Sequence, residues 1–196
     1  MRSKTLNTIL VAGATGTTGR EILRLARSRV DTVRALTRSS DAAAALHTAG
    51  ADEVVDDLLA PDDLSAAVAD VDAVLSAVGT APAALRSGPP FVDGAGNRAL
   101  VSAAADAGVD SFVMESAIGV GAEPSSPLAT GFNAFIGPIQ EAKATAESAI
   151  RDAEIRHTIF RPGVLTNGSR TDLVTAAEPG AKLWGTISRA DVARLM

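Results

Sequence analysis

The 196-residue sequence has no cysteine, which excludes disulfides, thiolate nucleophiles and cysteine-ligated metals. It has no tyrosine either, so no phenol can serve as a proton donor anywhere in the chain. Aromatic residues are only 3% of the total, and the apolar 46% is mainly Ala, Val, Leu and Ile. Such material suits helices packed closely on a sheet better than a ring-lined cavity. Lysine is confined to Lys4, Lys143 and Lys182, and the net charge is −5. A general attraction to nucleic acid or to an anionic membrane is therefore not expected. His47 and His157 are the only histidines and lie far apart, so no metal is expected. No apolar run is long enough to span a bilayer, and residues 1–5 lead into no segment of signal-peptide type. These absences predict a soluble cytoplasmic protein with a small-molecule substrate or none. Oligomeric state is not readable.

What is present is a regular alternation. Short apolar runs at 8–12, 32–36, 52–56, 72–78, 111–115 and 155–160 predict strands. Between them, 20–29, a stretch from Ser40 or Asp41 to near Gly50, one opening at Pro61, 92–107 and 140–153 predict helices. Strands alternating with helices build βαβ units, and continuously apolar strands are those buried on both faces. The predicted fold is α/β, a Rossmann-type doubly wound parallel sheet forming one domain over residues 1–196. Two stretches rich in Gly, Pro, Ala and Ser, 80–90 and 119–137, interrupt the pattern. They are expected as substrate-side loops at the carboxyl edge of the sheet. The last residues, 188–196, read as an amphipathic helix cut short, with a truncated C-terminus expected.

The loop Gly13-Ala14-Thr15-Gly16-Thr17-Thr18-Gly19 joins the first strand to the first helix. Glycine there lets the backbone turn tightly and approach a pyrophosphate with no Cβ in the way. The helix start adds free N–H groups and a favourable dipole. Thr15, Thr17 and Thr18 carry hydroxyls that can bond phosphate or cap the helix. The second strand ends in Thr37-Arg38, where an NAD-selective site carries an acidic residue for the ribose 2′-OH. A guanidinium there, from Arg38 with Arg34 nearby, can pair with a 2′-phosphate. NADP is the expected cofactor, with NAD the alternative.

With these residues placed, the chain resembles the atypical short-chain dehydrogenase/reductase superfamily, in its small NAD(P)H-binding, NmrA-like and biliverdin-reductase-B-like group. The resemblance rests on the 13–19 loop, Arg34-Ala35-Leu36-Thr37-Arg38, Val55-Asp56-Asp57-Leu58 and Leu75-Ser76-Ala77-Val78-Gly79. It continues through Phe112-Val113-Met114-Glu115-Ser116 and Ala142-Lys143 with Glu147 to Thr158-Ile159-Phe160-Arg161-Pro162-Gly163. It implies that Asp57 and Leu58 flank the adenine, that Ala77, Val78 and Gly79 line the adenosine and ribose, and that Pro162 and Gly163 shape the nicotinamide end. Arg161 is expected as a structural ion-pair partner. Asp93 and Asn97, at i and i+4, either organise the loop after the fourth strand or cap the helix.

The same resemblance implies a catalytic Ser, Tyr and Lys. Ser116 and Lys143 occupy two of these positions, and Ile139 occupies that of Tyr. Glu115 stands where the family commonly has an apolar residue and reads as a buried carboxylate in need of a partner. The leading expectation is an oxidoreductase transferring hydride to a small or medium organic substrate without a catalytic Tyr. The alternative is a non-catalytic NADP(H) redox sensor or partner-binding protein of NmrA-like type.

Overall fold

A computed structural model describes residues 6–37, 40–56, 64–80, 88–121, 127–178 and 185–196. Six strands form one parallel sheet: β1 Thr8–Ala12, β2 Thr32–Thr37, β3 Glu53–Asp56, β4 Ala73–Ser76, β5 Ser111–Glu115 and β6 Arg156–Phe160. Their order is β3-β2-β1-β4-β5-β6. This is the doubly wound order, with its switch point between β1 and β4. The order in which successive strands are added reverses there, so the connections leaving β1 and β4 diverge and leave a crevice above the carboxyl edge.

Helices cover both faces. On one side α1 (Thr17–Ala26), α2 (Ala43–Ala49) and α6 (Arg189–Leu195) accompany β1 and β2. On the other, α3 (Leu64–Val68), α4 (Ala95–Asp106) and α5 (Pro127–Asp152) cover β4 and β5. Ile22 and Leu23 of α1 are fully buried, each contributing about 1.5–3 kcal/mol of transfer free energy. Leu10, Val74, Phe112 and Met114 are buried from the sheet, as strands covered on both faces require. α2 stops at Gly50, whose φ of 116° no other residue adopts easily. A two-stranded parallel pair, β7 (Val164–Thr166) with β8 (Thr186–Ser188), stands apart from the main sheet.

Two differences from the sequence reading matter. Residues 127–137, expected as loop, are the first eleven residues of α5, which runs without interruption through Pro138. A proline inside a helix removes one backbone bond but does not end the helix when neighbouring turns hold it. The β7–β8 pair was not anticipated. Three residues are too few to show a period, and its partners lie about twenty positions apart. α6 docks on α1, so the last described helix belongs to the core.

α6 also ties down the segment before it. Ser188 caps the helix by accepting from Asp191 N, and Asp191 accepts in return from Ser188 Oγ at 2.7 Å. The same carboxylate takes Thr171 N, Thr171 Oγ1 and Asp172 N at 2.9 Å each. These donors hold its pKa down at about 2. Arg189 Nη1 also donates to Asn167 Oδ1 at 2.8 Å and Arg194 pairs with Asp172 at 2.7 Å, so the otherwise exposed stretch 167–178 is fastened to α6 near its start.

Candidate functional site

Because all six strands are parallel, the segments leaving β1, β4, β5 and β6 emerge on one edge. That brings together the glycine loop, Ala77–Gly79, Ser116 and Pro162-Gly163. Gly13 has φ 77°, and a Cβ on it would run into the Ala77 carbonyl and lie 2.9 Å from Val78 N. A Cβ on Gly19 would strike Gly13 O and sit 2.8 Å from Ala14 Cα. Gly16 is less constrained, its nearest neighbour being Gly13 O at 3.2 Å. The first and last glycines therefore let β1, α1 and β4 approach, while the middle one keeps the loop bare.

Gly16 is the N-cap of α1 and makes no side-chain capping bond. The first-turn N–H groups of a helix have no partner within it. Thr15, Gly16 and Thr17 are exposed, whereas Thr18 and Gly19 are buried. An uncapped helix start, fronted by a loop with no bulky side chains, fits the pyrophosphate of a dinucleotide. Ala77 N bonds Ala12 O at 3.0 Å, Val78 is buried, and Gly79 is exposed beside it. Thr37 is buried at the end of β2. Arg38, Asp57 and Leu58 lie outside the described residues. Arg34 is occupied elsewhere: its Nη1 caps the end of α3 through Ala67 O and Ala69 O at 2.9 Å, and its Nε bonds Glu53 at 2.7 Å.

Ser116 follows β5 and is 3% exposed. Its Oγ donates to Glu147 Oε1 at 2.6 Å. Glu147 is itself 1% exposed and also accepts from Arg151 Nη2 at 2.6 Å and from Arg161 through both Nε, at 2.9 Å, and Nη2. Burial alone would raise its pKa, but the donors from Arg161, Ser116 and Arg151 outweigh burial and hold it below its ordinary value. Glu147 is thus an ionised acceptor, and the Ser116 proton points at it. Arg161 is the structural ion-pair partner that its sequence context suggested, its own pKa raised chiefly by Glu147.

Lys143 lies one turn before Glu147 on α5, and its Nζ is 2.9 Å from Asp93 Oδ1. The other Asp93 oxygen takes Thr80 N at 2.7 Å and Thr80 Oγ1. Asn97 Nδ2 donates to Asp93 O at 2.9 Å, and Asn97 Oδ1 accepts from Ser76 Oγ at 2.5 Å. Asp93 and Asn97 therefore organise the turn after β4. Helix capping is not their role, since Gly94 is the N-cap of α4 and has no side-chain cap. A Cβ on Gly94 would meet Ala142 O at 2.9 Å, so its absence lets α5 close on α4 and bring Lys143 to Asp93.

Glu115 and Ser116 face opposite ways, as alternation in a strand demands. Glu115 is 7% exposed and accepts from Thr18 Oγ1 on α1 at 3.3 Å. Burial raises its pKa, against smaller opposing effects from Lys143, Thr18 and Arg189. Ile139 is buried one turn ahead of Lys143, and Gln140 beside it donates Nε2 to Ile118 O at 3.1 Å. Ile118 N in turn bonds Pro162 O at 2.9 Å. Gly163 passes so close to Gly185 that a Cβ would overlap its carbonyl. The residues whose roles went unread in sequence are Glu147, the hub for Ser116, and Gln140. Their signal was spacing: 140, 143 and 147 share a face on an alanine-rich helix.

Among the described residues, no cluster of three or more His, Asp or Glu is arranged to hold a metal, and no helix is long and apolar enough to cross a membrane. A family model described as NAD(P)H-binding matches residues 13–196. An uncharacterized sugar epimerase of Bacillus subtilis, YhfK, is 30% identical over 95% of this chain and 84% of its own length. An NAD(P)H azoreductase of Xenophilus azovorans is 36% identical over 79% of this chain, which spans only 47% of that protein. Among solved structures, a Bacillus halodurans protein named for the NAD-dependent epimerase/dehydratase class superposes with TM-score 0.83 at 27% identity, covering 96% of this chain and 85% of that one. ChuY of Escherichia coli, named as an anaerobilin reductase, gives TM-score 0.79 at 25% identity over 96% and 88%.

Proposed function

The chain belongs to the NAD(P)H-binding family of the atypical short-chain dehydrogenase/reductases, and from that premise we propose that it is an NADP(H)-dependent oxidoreductase lacking a tyrosine acid. The observation that carries this reading is the uncapped start of α1 behind Gly13 and Gly19, opening onto the same edge as Ser116 and Lys143. A nicotinamide cofactor supplies a hydride when bound. The glycine loop and the α1 N–H groups hold its pyrophosphate, and Arg38 selects the 2′-phosphate. Lys143 keeps two ammonium protons beyond its bond to Asp93 and offers them to ribose hydroxyls.

Ser116 has a restricted role. Its only proton is engaged by an ionised carboxylate, so toward a ligand it acts as an acceptor. Ile139 has no proton to give. The proton that completes reduction comes from water, and this favours certain substrates. A simple ketone would become an alkoxide, which demands a proton during transfer. A quinone becomes a phenolate-like anion, whose acid has a pKa of about 10 and whose protonation can wait. Quinoid and comparable delocalised acceptors of small or medium size are therefore the proposed substrate class.

Calorimetric titration with NADP⁺, NADPH and NAD⁺ tests the cofactor, and tighter binding of NAD⁺ than NADP⁺ refutes the 2′-phosphate assignment. A panel of quinones, azo dyes, flavins and aldehydes, followed by NADPH absorbance, tests turnover. Ser116→Ala and Lys143→Ala should each reduce any rate found. One observation favours a second reading. Ser116 and Lys143 are both engaged with buried carboxylates, and the third catalytic position is aliphatic. A protein that binds NADP(H) tightly yet oxidises it with no member of the panel is a redox sensor or partner-binding protein.

A further inference from the structure

The most informative side chain that this chemistry leaves unused is Gln140. It is 8% exposed, and its Nε2 donates to Ile118 O. Its Oε1 is buried with no hydrogen-bond partner. The amide orientation follows from the contact itself, because the reverse would set Oε1 against another carbonyl oxygen. Leaving a buried acceptor unpaired is costly, and native interiors rarely do so without reason.

Its place on α5 supplies the reason. The helix leaves β5 at the carboxyl edge and returns to β6 at the other, so it runs opposite to the strands. Glu147 stands deepest, against Ser116, and Lys143 stands one turn nearer the edge, against Asp93. Gln140 is three residues further on, about 4.5 Å along the axis toward the side where ligand sits. It braces Ile118, which is itself bonded to Pro162 at the end of the sheet that leads into Gly163. The free oxygen is therefore held on the carboxyl-edge side of α5, over the segments that leave β5 and β6, in the residue after the aliphatic Ile139.

We propose that Gln140 Oε1 is a specificity-determining acceptor, taking a hydrogen bond from an N–H or O–H group of the molecule bound over the carboxyl edge. This rests on the dinucleotide-binding reading above. The donor has two sources of the same chemistry: the carboxamide of the nicotinamide, or an amino or hydroxyl group on the second ligand. A carbonyl or ether at that place is rejected, because it sets acceptor against acceptor.

Calorimetry with two matched pairs decides. The first pair is NADP⁺ and its 3-acetylpyridine analogue, which lacks the carboxamide N–H. The second, added to the NADP⁺ complex, is 2-amino-1,4-naphthoquinone and 2-methyl-1,4-naphthoquinone. Wild type should prefer the N–H-bearing member of one pair by about tenfold in Kd, or about 1.4 kcal/mol. The pair that shows the preference identifies the source. Gln140→Met, close in volume, should abolish the preference, and any effect of losing the bond to Ile118 should fall on both members of a pair alike. Gln140→Ala serves the same comparison if the Met variant does not fold. General damage would weaken both members alike, so the ratio isolates the acceptor. Equal affinities within both pairs in wild type, or a preference that survives in the variants, overturns the assignment. Cofactor binding without discrimination in either pair sinks the role of Gln140 and leaves the oxidoreductase reading intact. Failure to bind NADP(H) at all sinks that reading, and the naphthoquinone pair on the free protein still decides for Gln140.

Discussion

Replacing Glu147 with Gln tests whether this carboxylate is what holds the site together. The carboxylate receives four donations, one from Ser116, one from Arg151 and two from Arg161. Each bond to a charged group is worth about 1.5–3 kcal/mol at full strength. Arg151 is half exposed at 50%, so its share is screened nearly to zero. Arg161 is 34% exposed and recovers part of its loss from water. Ser116 is buried and cannot, so its bond falls from a charged to a neutral acceptor, a loss of about 1 kcal/mol. One Gln oxygen still accepts, but its NH₂ is forced toward a guanidinium. The sum is about 2–3 kcal/mol, a fall in Tm of roughly 5–10 °C for a chain of this size. Circular dichroism melts of wild type, Glu147→Gln, Arg161→Met and the double variant measure it, with a coupling of about 1–2 kcal/mol expected between the two sites. The pH dependence has a definite sign. Glu147 titrates in the folded state below its ordinary 4.5, so its stabilisation is complete above that value and fades as pH falls through the folded one. The Tm gap between wild type and Glu147→Gln should be level from about pH 8 to about pH 5 and then close. A Gln variant melting within about 2 °C of wild type at neutral pH refutes the reasoning, as does a gap that widens in acid.

The three glycines of the loop should separate by function. Gly13→Ala and Gly19→Ala should each lose about 1–3 kcal/mol through backbone overlap, the second despite the better helix propensity of Ala, whereas Gly16→Ala should melt near wild type and bind NADP⁺ more weakly. Asp191→Asn should speed proteolysis within 167–178, and the wild-type protection should persist until pH falls toward about 2, since a depressed carboxylate stabilises above its unfolded value. Glu115 has the opposite sign: its raised pKa means that its contribution is full in acid and is lost as pH rises through the folded value. Glu115→Gln should therefore raise Tm at pH 8 and change it little near pH 4, and equal melting at both would contradict the burial argument.

The sheet was legible because parallel strands covered on both faces leave continuous apolar runs, and each of the six main strands falls within a few residues of its predicted place. The glycine loop was legible for a related reason, since close backbone approach leaves glycine and nothing else at Gly13 and Gly19. The start of α5 was not. Gly131, Gly137 and Pro138 signal a loop locally, while Leu128, Phe132, Phe135 and Ile139 keep a helical period through the same residues. Here the period prevailed over the local signals, because a helix that continues into the alanine-rich turns after Pro138 loses only one backbone bond at the proline. The β7–β8 pair was illegible for want of length.

The candidate site shows a different limit. Ser116, Lys143 and Ile139 were found by position on a motif, but position said nothing about where their protons go. That depends on Glu147 and Asp93, whose burial brings each carboxylate to its partner. Once Glu147 is ionised and buried, Ser116 can only accept, and the absence of tyrosine stops being an isolated gap. A Ser turned toward a carboxylate and an isoleucine in the tyrosine's place are consistent halves of one arrangement, in which neither of these two positions supplies an acid. On the proposed oxidoreductase reading, such a site discriminates by fit and by hydrogen-bond pattern, and by the substrate's capacity to carry negative charge. Among the described residues of α5 above Lys143, the fixed hydrogen-bonding group proposed to make that discrimination is the amide oxygen of Gln140.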